Sequence, residues 1–272
     1  MISNATSFAE KLELPCLVID TSNTYCQFGL ITRHALAKNE VGRSTCVKIR
    51  NDEFVISIPN PRESYPALQG MAEVIDCDLL DFLNSLAISI KDVRSIVCSV
   101  GPGSFTGLRT GLAFSKGLQF SLEVPLVLCS NLLAAGLVVS AKTINSRTKI
   151  SLKANKDENF VSTLEVINDL PVELSDIEVE SIGNVEKHLD VETCDISELQ
   201  DFEIMEGYLR AFLFIEDRKK EFSSVRSVIT RQVNIYENDL NVVEPYYVKG
   251  VSALTLVERG IKSPLDQIKR FE

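Results

Sequence analysis

The string Gly101-Pro102-Gly103-Ser104-Phe105-Thr106-Gly107 joins an apolar run, Ser95-Ile96-Val97-Cys98-Ser99-Val100, to a segment with helical spacing of apolar residues that extends to about Leu122. A glycine-rich turn between a strand and a helix commits the chain to an α/β arrangement, and it aims main-chain amides and the positive helix end at any anion placed there. Three well-known loops can be tested against the spelling. A Walker A loop needs Lys after its last glycine, and Leu108 stands there. A nucleophile elbow needs Gly at 102 and 106, which are Pro102 and Thr106. A dinucleotide fingerprint is missed by one residue, and the next strand, Leu126-Val127-Leu128-Cys129-Ser130, does not end in an acid.

The surrounding pattern places this loop in a larger plan. Residues 15–31 read as a strand, a polar turn at Asp20-Thr21-Ser22-Asn23-Thr24, and an antiparallel strand, with a third strand within Thr45 to Ile58. Met71, Val74, Ile75, Leu79, Phe82, Leu83 and Leu86 make the apolar stripe of a helix. Then follow the strand 95–100, a helix from about Thr106 to Leu122, a strand at 124–129 and a short helix at 132–139. Alternation of strand and helix at these lengths predicts parallel pairing through right-handed crossovers. Beyond a polar stretch at 141–147, where a hinge is expected, Thr148 to Leu152 and Phe160 to Ile167 repeat the opening hairpin, as a duplicated lobe would. Two lobes are therefore expected, residues 1–140 and 148–272. Gly207 to Phe214 is apolar without a clear period, and the tail from Tyr246 to Val257 is expected to pack back on the first lobe.

Composition narrows the function. The 272 residues are 45% hydrophobic and 24% charged, which fits a folded domain with a substantial core. No run approaches the length of a spanning helix, and the first residues lack a basic start and an apolar core, so a cytoplasmic protein is expected. Seven scattered cysteines without CxxC spacing read as buried apolar residues in a reducing compartment, and with only His34 and His188 there is no His/Cys metal cluster. Of the net charge of −10, residues 151–210 carry −12, from 16 acidic and 4 basic side chains. Such a chain is ill suited to hold nucleic acid alone, because displacing counterions from phosphates requires Lys and Arg. The acidic segment is expected to be a solvated face.

The full string GPGSFTGLRTGLAFSKGLQF resembles the signature of the TsaB (YeaZ) family, cytoplasmic partners of TsaD in making threonylcarbamoyladenosine in tRNA. Asp20-Thr21-Ser22 matches the end of that family's first strand, and Val124-Pro125-Leu126 with Ser130 its next strand and turn. Where the family's helix begins His-Ser-Glu, this chain has Met71-Ala72-Glu73. Lys153-Ala154-Asn155 stands in place of Asp-Ala-Arg, with Glu158 and Phe160 at the following Glu and Tyr, and Pro245-Tyr246-Tyr247-Val248-Lys249 is similar to Pro-x-Tyr-x-Arg.

The resemblance implies a two-lobed actin-like ATPase (ASKHA) fold, α/β with mixed sheets and flanking helices. It also implies a non-catalytic subunit that binds and activates a TsaD-type enzyme, in a complex with a TsaE-type ATPase. Such a subunit forms a homodimer when alone, meets tRNA only through the complex, and has no cofactor of its own beyond ATP or ADP at a partner interface. The competing reading is an autonomous actin-fold ATPase or kinase. There Asp20 would position a metal and water, and Thr21, Ser22, Gly101, Gly103, Ser104, Thr106 and Gly107 would receive phosphates. Arg109 lies in the first turn of its helix, against the dipole, which points to an external anion or carboxylate. The association face is expected on helices 71–87 and 106–122, at Met71, Glu73, Val74, Leu79, Leu108, Gly111, Leu112 and Ser115; Gly107, Gly111 and Ser115 leave one side of the second helix nearly bare.

Overall fold

Strict alternation in the first strand dictates the layering. In β1 (Cys16–Asp20) every residue is buried, with Leu17 and Ile19 in one apolar core and Cys16 and Val18 in another. A strand buried on both faces needs a helical layer on each side. The structure, a computed structural model, describes residues 13–23, 25–34, 42–49, 52–59, 70–142, 146–167, 170–182, 192–218 and 233–236. The first sheet adds β2 (Gln27–Thr32), β3 (Gly42–Ile49), β4 (Asp52–Pro59), β5 (Ser95–Ser99), β6 (Leu126–Cys129) and, near the end of the described chain, β12 (Val233–Tyr236). Its order is β12-β6-β5-β1-β2-β4-β3. β1, β5 and β6 run parallel as expected, while β2, β4 and then β3 extend the sheet from β1 by antiparallel pairs. Where one strand is expected between Thr45 and Ile58 there are two, β3 and β4, paired antiparallel from Gly42↔Pro59 to Ile49↔Asp52.

Helices α1 (Met71–Ser85) and α2 (Phe105–Leu122) cover one face of this sheet. Ile75, Leu79, Phe82 and Leu83 of α1 are the inward stripe, and Phe82 lies over Phe28 with ring centroids 6.4 Å apart. Each such side chain contributes about 1.5–3 kcal/mol when fully buried. Helix α3 (Asn131–Ser140), NLLAAGLVVS, is apolar all round because it lies between two sheets, and all ten residues are buried.

The second sheet comprises β7 (Ser146–Lys153), β8 (Glu158–Ile167), β9 (Leu170–Leu174), β10 (Glu178–Ser181) and β11 (Glu192–Asp195). The β7–β8 hairpin with β11 parallel to β7 repeats the β1–β2 hairpin with β5 parallel to β1. α3 packs on β7 and β8, and α4 (Asp201–Arg218) fills the space between α3 and the first sheet. The apolar stretch at Gly207 to Phe214 is thus the interior of an amphipathic helix, burying Ile204, Met205, Tyr208, Leu209, Ala211 and Phe212. The part of the chain expected to build the second lobe therefore returns to the first sheet for α4 and β12. Of the hinge expected at residues 141–147, residues 143–145 lie outside the described residues, as does the tail from Tyr246.

Candidate functional site

The carboxyl ends of β1, β5 and β6 bring together the turn Asp20-Thr21-Ser22, the glycine loop and the N-termini of α2 and α3. Open α/β sheets place ligands at such ends. In this chain the two loops close on each other. The Ser104 main-chain N–H donates to the Ser22 carbonyl at 2.7 Å. A Cβ at Gly103 would overlap that carbonyl, and one at Gly107 would overlap the Thr21 carbonyl. Gly101, at φ +92°, makes the turn into the loop. Asn131 then holds the loop from the other side, its Nδ2 donating to the Pro102 carbonyl at 2.8 Å and its main-chain N–H to that of Gly101 at 3.1 Å.

Ser104 and Asp20 among the expected residues already have internal partners, whereas the buried Thr21 Oγ1 has none. The Ser104 side chain caps α2 by accepting from the Gly107 N–H, and its carbonyl accepts from Leu108 N–H. Asp20 is buried. One carboxylate oxygen accepts from the Ser22 N–H at 2.9 Å and the other from the Tyr208 hydroxyl at 2.8 Å. Burial, and then the neighbouring Asp20, push the Tyr208 phenol well above its ordinary value, so it is a fixed donor. Thr21 and Ser22 are buried too.

The remaining expected residues divide by exposure. Gly103, Ser104, Thr106 and Arg109 are exposed, and the Arg109 guanidinium lies 4.0 Å from the Phe105 ring centroid, a cation–π contact that gives it a local role. For the association face the structure brings a correction. Leu79, Leu108, Gly111, Leu112 and Ser115 are buried within the chain itself, the last four because α2 lies directly on the Thr21 turn and the sheet, so they are core residues. Glu73 is exposed and Met71 and Val74 are half-buried. The outward large apolar residues of this helical layer are Leu80 at 48% exposure, Phe105 at 37% and Phe120 at 77%, none of which follows from the small-residue stripe. Tyr208 also escapes the sequence reading. Its signal is a lone hydroxyl on the otherwise apolar face of α4.

Among the described residues no group of His, Cys, Asp and Glu could hold a metal ion, and no helix is long and apolar enough to cross a membrane. All seven cysteines are free; Cys46 and Cys77 are exposed, and burial pushes the Cys98 thiol up to about 12.

Comparison with known proteins points one way. The family model described as TsaD, tRNA N6-adenosine threonylcarbamoyltransferase, matches residues 72–204. The tRNA threonylcarbamoyladenosine biosynthesis protein TsaB of Escherichia coli is 30% identical over 80 residues, 29% of this chain and 35% of that protein. TsaB of Bacillus subtilis is 40% identical over 50 residues, 18% of this chain and 22% of that protein. The matched stretches thus span about a third or less of these relatives. A solved structure described as an uncharacterized protein with similarity to peptidase YeaZ from Pseudomonas aeruginosa superposes over 86% of this chain and 99% of its own, with TM-score 0.54 and 16% identity. The fold is the mixed α/β, actin-like ATPase fold, and over the matched stretches the chain is similar in sequence to TsaB (YeaZ) proteins.

Proposed function

We propose that this chain is a non-catalytic subunit that binds and activates a TsaD-type enzyme in the transfer of threonylcarbamoyl to adenosine in tRNA. The observation that carries this reading is the internal use of Asp20. Asp20 is buried, and each of its carboxylate oxygens already accepts a hydrogen bond from the chain itself, which engages it in holding the fold. The closure of the glycine loop on Ser22 works in the same direction. Such a subunit acts by docking, and the exposed Leu80 and Phe120 on the α1–α2 layer offer the surface, to a TsaD-type partner or to a second copy when alone. ATP or ADP, if it enters the assembly, is bound at the interface the two proteins share, with a TsaE-type ATPase in the same complex. The partner holds the tRNA, consistent with an acidic chain at net charge −10.

The test is to measure ATP hydrolysis and tRNA threonylcarbamoylation by the purified chain, by a TsaD homologue, and by the two together with the remaining components. Product only when both are present is the expected result. Turnover by this chain alone, abolished by Asp20→Asn, would establish it as an autonomous ATPase or kinase.

A further inference from the structure

Tyr208 is the largest side chain buried completely among the described residues, and its partner Asp20 lies 188 residues away in sequence. Helix α4, which carries it, is reached only after the chain has built the second sheet, and it is seated with unusual definition. At its start Asp201 accepts from Gln27 Nε2 at 2.8 Å and pairs with Arg43 at 3.3 Å. Glu203 pairs with Lys142, just past the end of α3, at 2.9 Å. Gly207 lies so close to the Ala134 backbone that a Cβ would overlap the Ala134 carbonyl, and Met205 occupies the space that a side chain at Gly29 would need. The helix cannot slide by a residue without breaking several of these at once.

From this fixed seat a chain of hydrogen bonds crosses the carboxyl edge of the sheet. The Tyr208 hydroxyl donates to Asp20; Asp20 accepts from Ser22 N–H; the Ser22 carbonyl accepts from Ser104 N–H; and the Ser104 side chain accepts from Gly107 N–H inside the first turn of α2. The α4 end lies in the core between the two sheets, and the α2 end lies in the helical layer on the opposite face. Tyr208, Asp20 and Ser22 are buried, so at that end water cannot substitute for a missing member; Ser104, at the α2 end, is exposed.

We propose that the Tyr208–Asp20 hydrogen bond is a conformational latch, by which the seating of α4 against the second lobe sets the shape of the Asp20–Ser22 turn and of the glycine loop on the far side of the sheet. With the latch closed the two loops are held together as described. With it open they loosen while both apolar cores persist, since neither core depends on the phenolic oxygen. The device stands on the chain's own contacts and holds whether or not the chain activates a TsaD-type enzyme.

Hydrogen exchange of the full chain, read by mass spectrometry, tests it with the nearly isosteric Tyr208→Phe and with Asp20→Asn. A core variant, Leu164→Val, serves as a control for general destabilisation. The expected result is exchange faster by about tenfold in peptides covering 20–22 and 101–108, with protection of β7, β8 and the middle of α1 unchanged. Loops that stay protected in both variants overturn the latch, and so does exchange that rises everywhere together, as in the core control or in a variant that fails to fold.

Discussion

Two glycines one turn and a half apart on α2 answer opposite demands. Gly111 lies against Thr21, and a Cβ there would overlap the threonine Oγ1, so Gly111→Ala must push the helix off the turn. Overpacking of this kind costs about 1–3 kcal/mol. Gly117 is exposed with nothing near it, and Gly117→Ala in a helix interior should stabilise the protein by about 1 kcal/mol. Urea denaturation of the two variants should move the midpoint in opposite directions; a shift of the same sign in both would refute the packing described for α2. Thiol chemistry gives a second check on single side chains. A thiol reagent at mildly alkaline pH should modify Cys46 and Cys77 of the native protein and leave Cys16, Cys98 and Cys129 unreacted until it unfolds. Reaction at Cys77 should speed up in Asp76→Asn, because the Asp76 carboxylate is the main cause that raises its thiol above the ordinary value.

α4 shows how elements are read and misread. Its start is tied by charge: Glu203 accepts from the Gln200 N–H at 2.9 Å and pairs with Lys142, and these hold its carboxylate below the ordinary value, the main-chain bond first. A carboxylate depressed in the folded state adds stability above its unfolded value of about 4.5, and that stability is lost as pH falls through the folded value. The stability difference between wild type and Glu203→Gln should therefore be present at pH 6 and shrink below pH 4.5; a difference constant across that range would remove Glu203 from the account. In sequence this helix was hidden, since Gly207 interrupts its apolar run and only the close approach to Ala134 explains the glycine. β1, β5, β6, α1 and α2 were legible because each carries its own period and its own cap or turn. The division of residues 45–58 between β3 and β4 was missed although Asn51-Asp52 marks a turn in the sequence, and the Tyr208–Asp20 bond was not legible, because no local pattern reports a partner 188 residues away. Expected site residues such as Leu108 and Leu112 were assigned to a surface for the same reason: spacing tells which residues share a helix face, and only packing tells what that face meets.

The molecule as a whole places its apolar surplus on one layer. α3 and α4 are enclosed between the sheets, whereas α1 and α2 have the sheet on one side only. Outward on α1 stand Glu73, Asp76, Leu80 and Asp81, and on α2 Arg109 and Phe120. Phe120 is 77% exposed, so it contributes little to the chain's own core, yet a phenylalanine that becomes fully buried in a contact contributes about 1.5–3 kcal/mol. That makes Phe120 a sharper probe of association than Val74, which is half-buried and whose replacement would disturb the fold as well as any contact. Phe120→Arg should leave circular dichroism and the urea midpoint within about 0.5 kcal/mol of wild type, as exposed substitutions do. In a docked face the same arginine would be an unpaired buried charge, costing several kcal/mol, so self-association measured by ultracentrifugation and capture of a TsaD homologue should both weaken by at least about a hundredfold. Leu80→Arg, on the neighbouring helix, should act in the same direction if the two helices form one surface. A Phe120→Arg protein that is folded, still dimerises and still captures TsaD would move the association face off this layer and leave the edge strands as the surfaces to examine next.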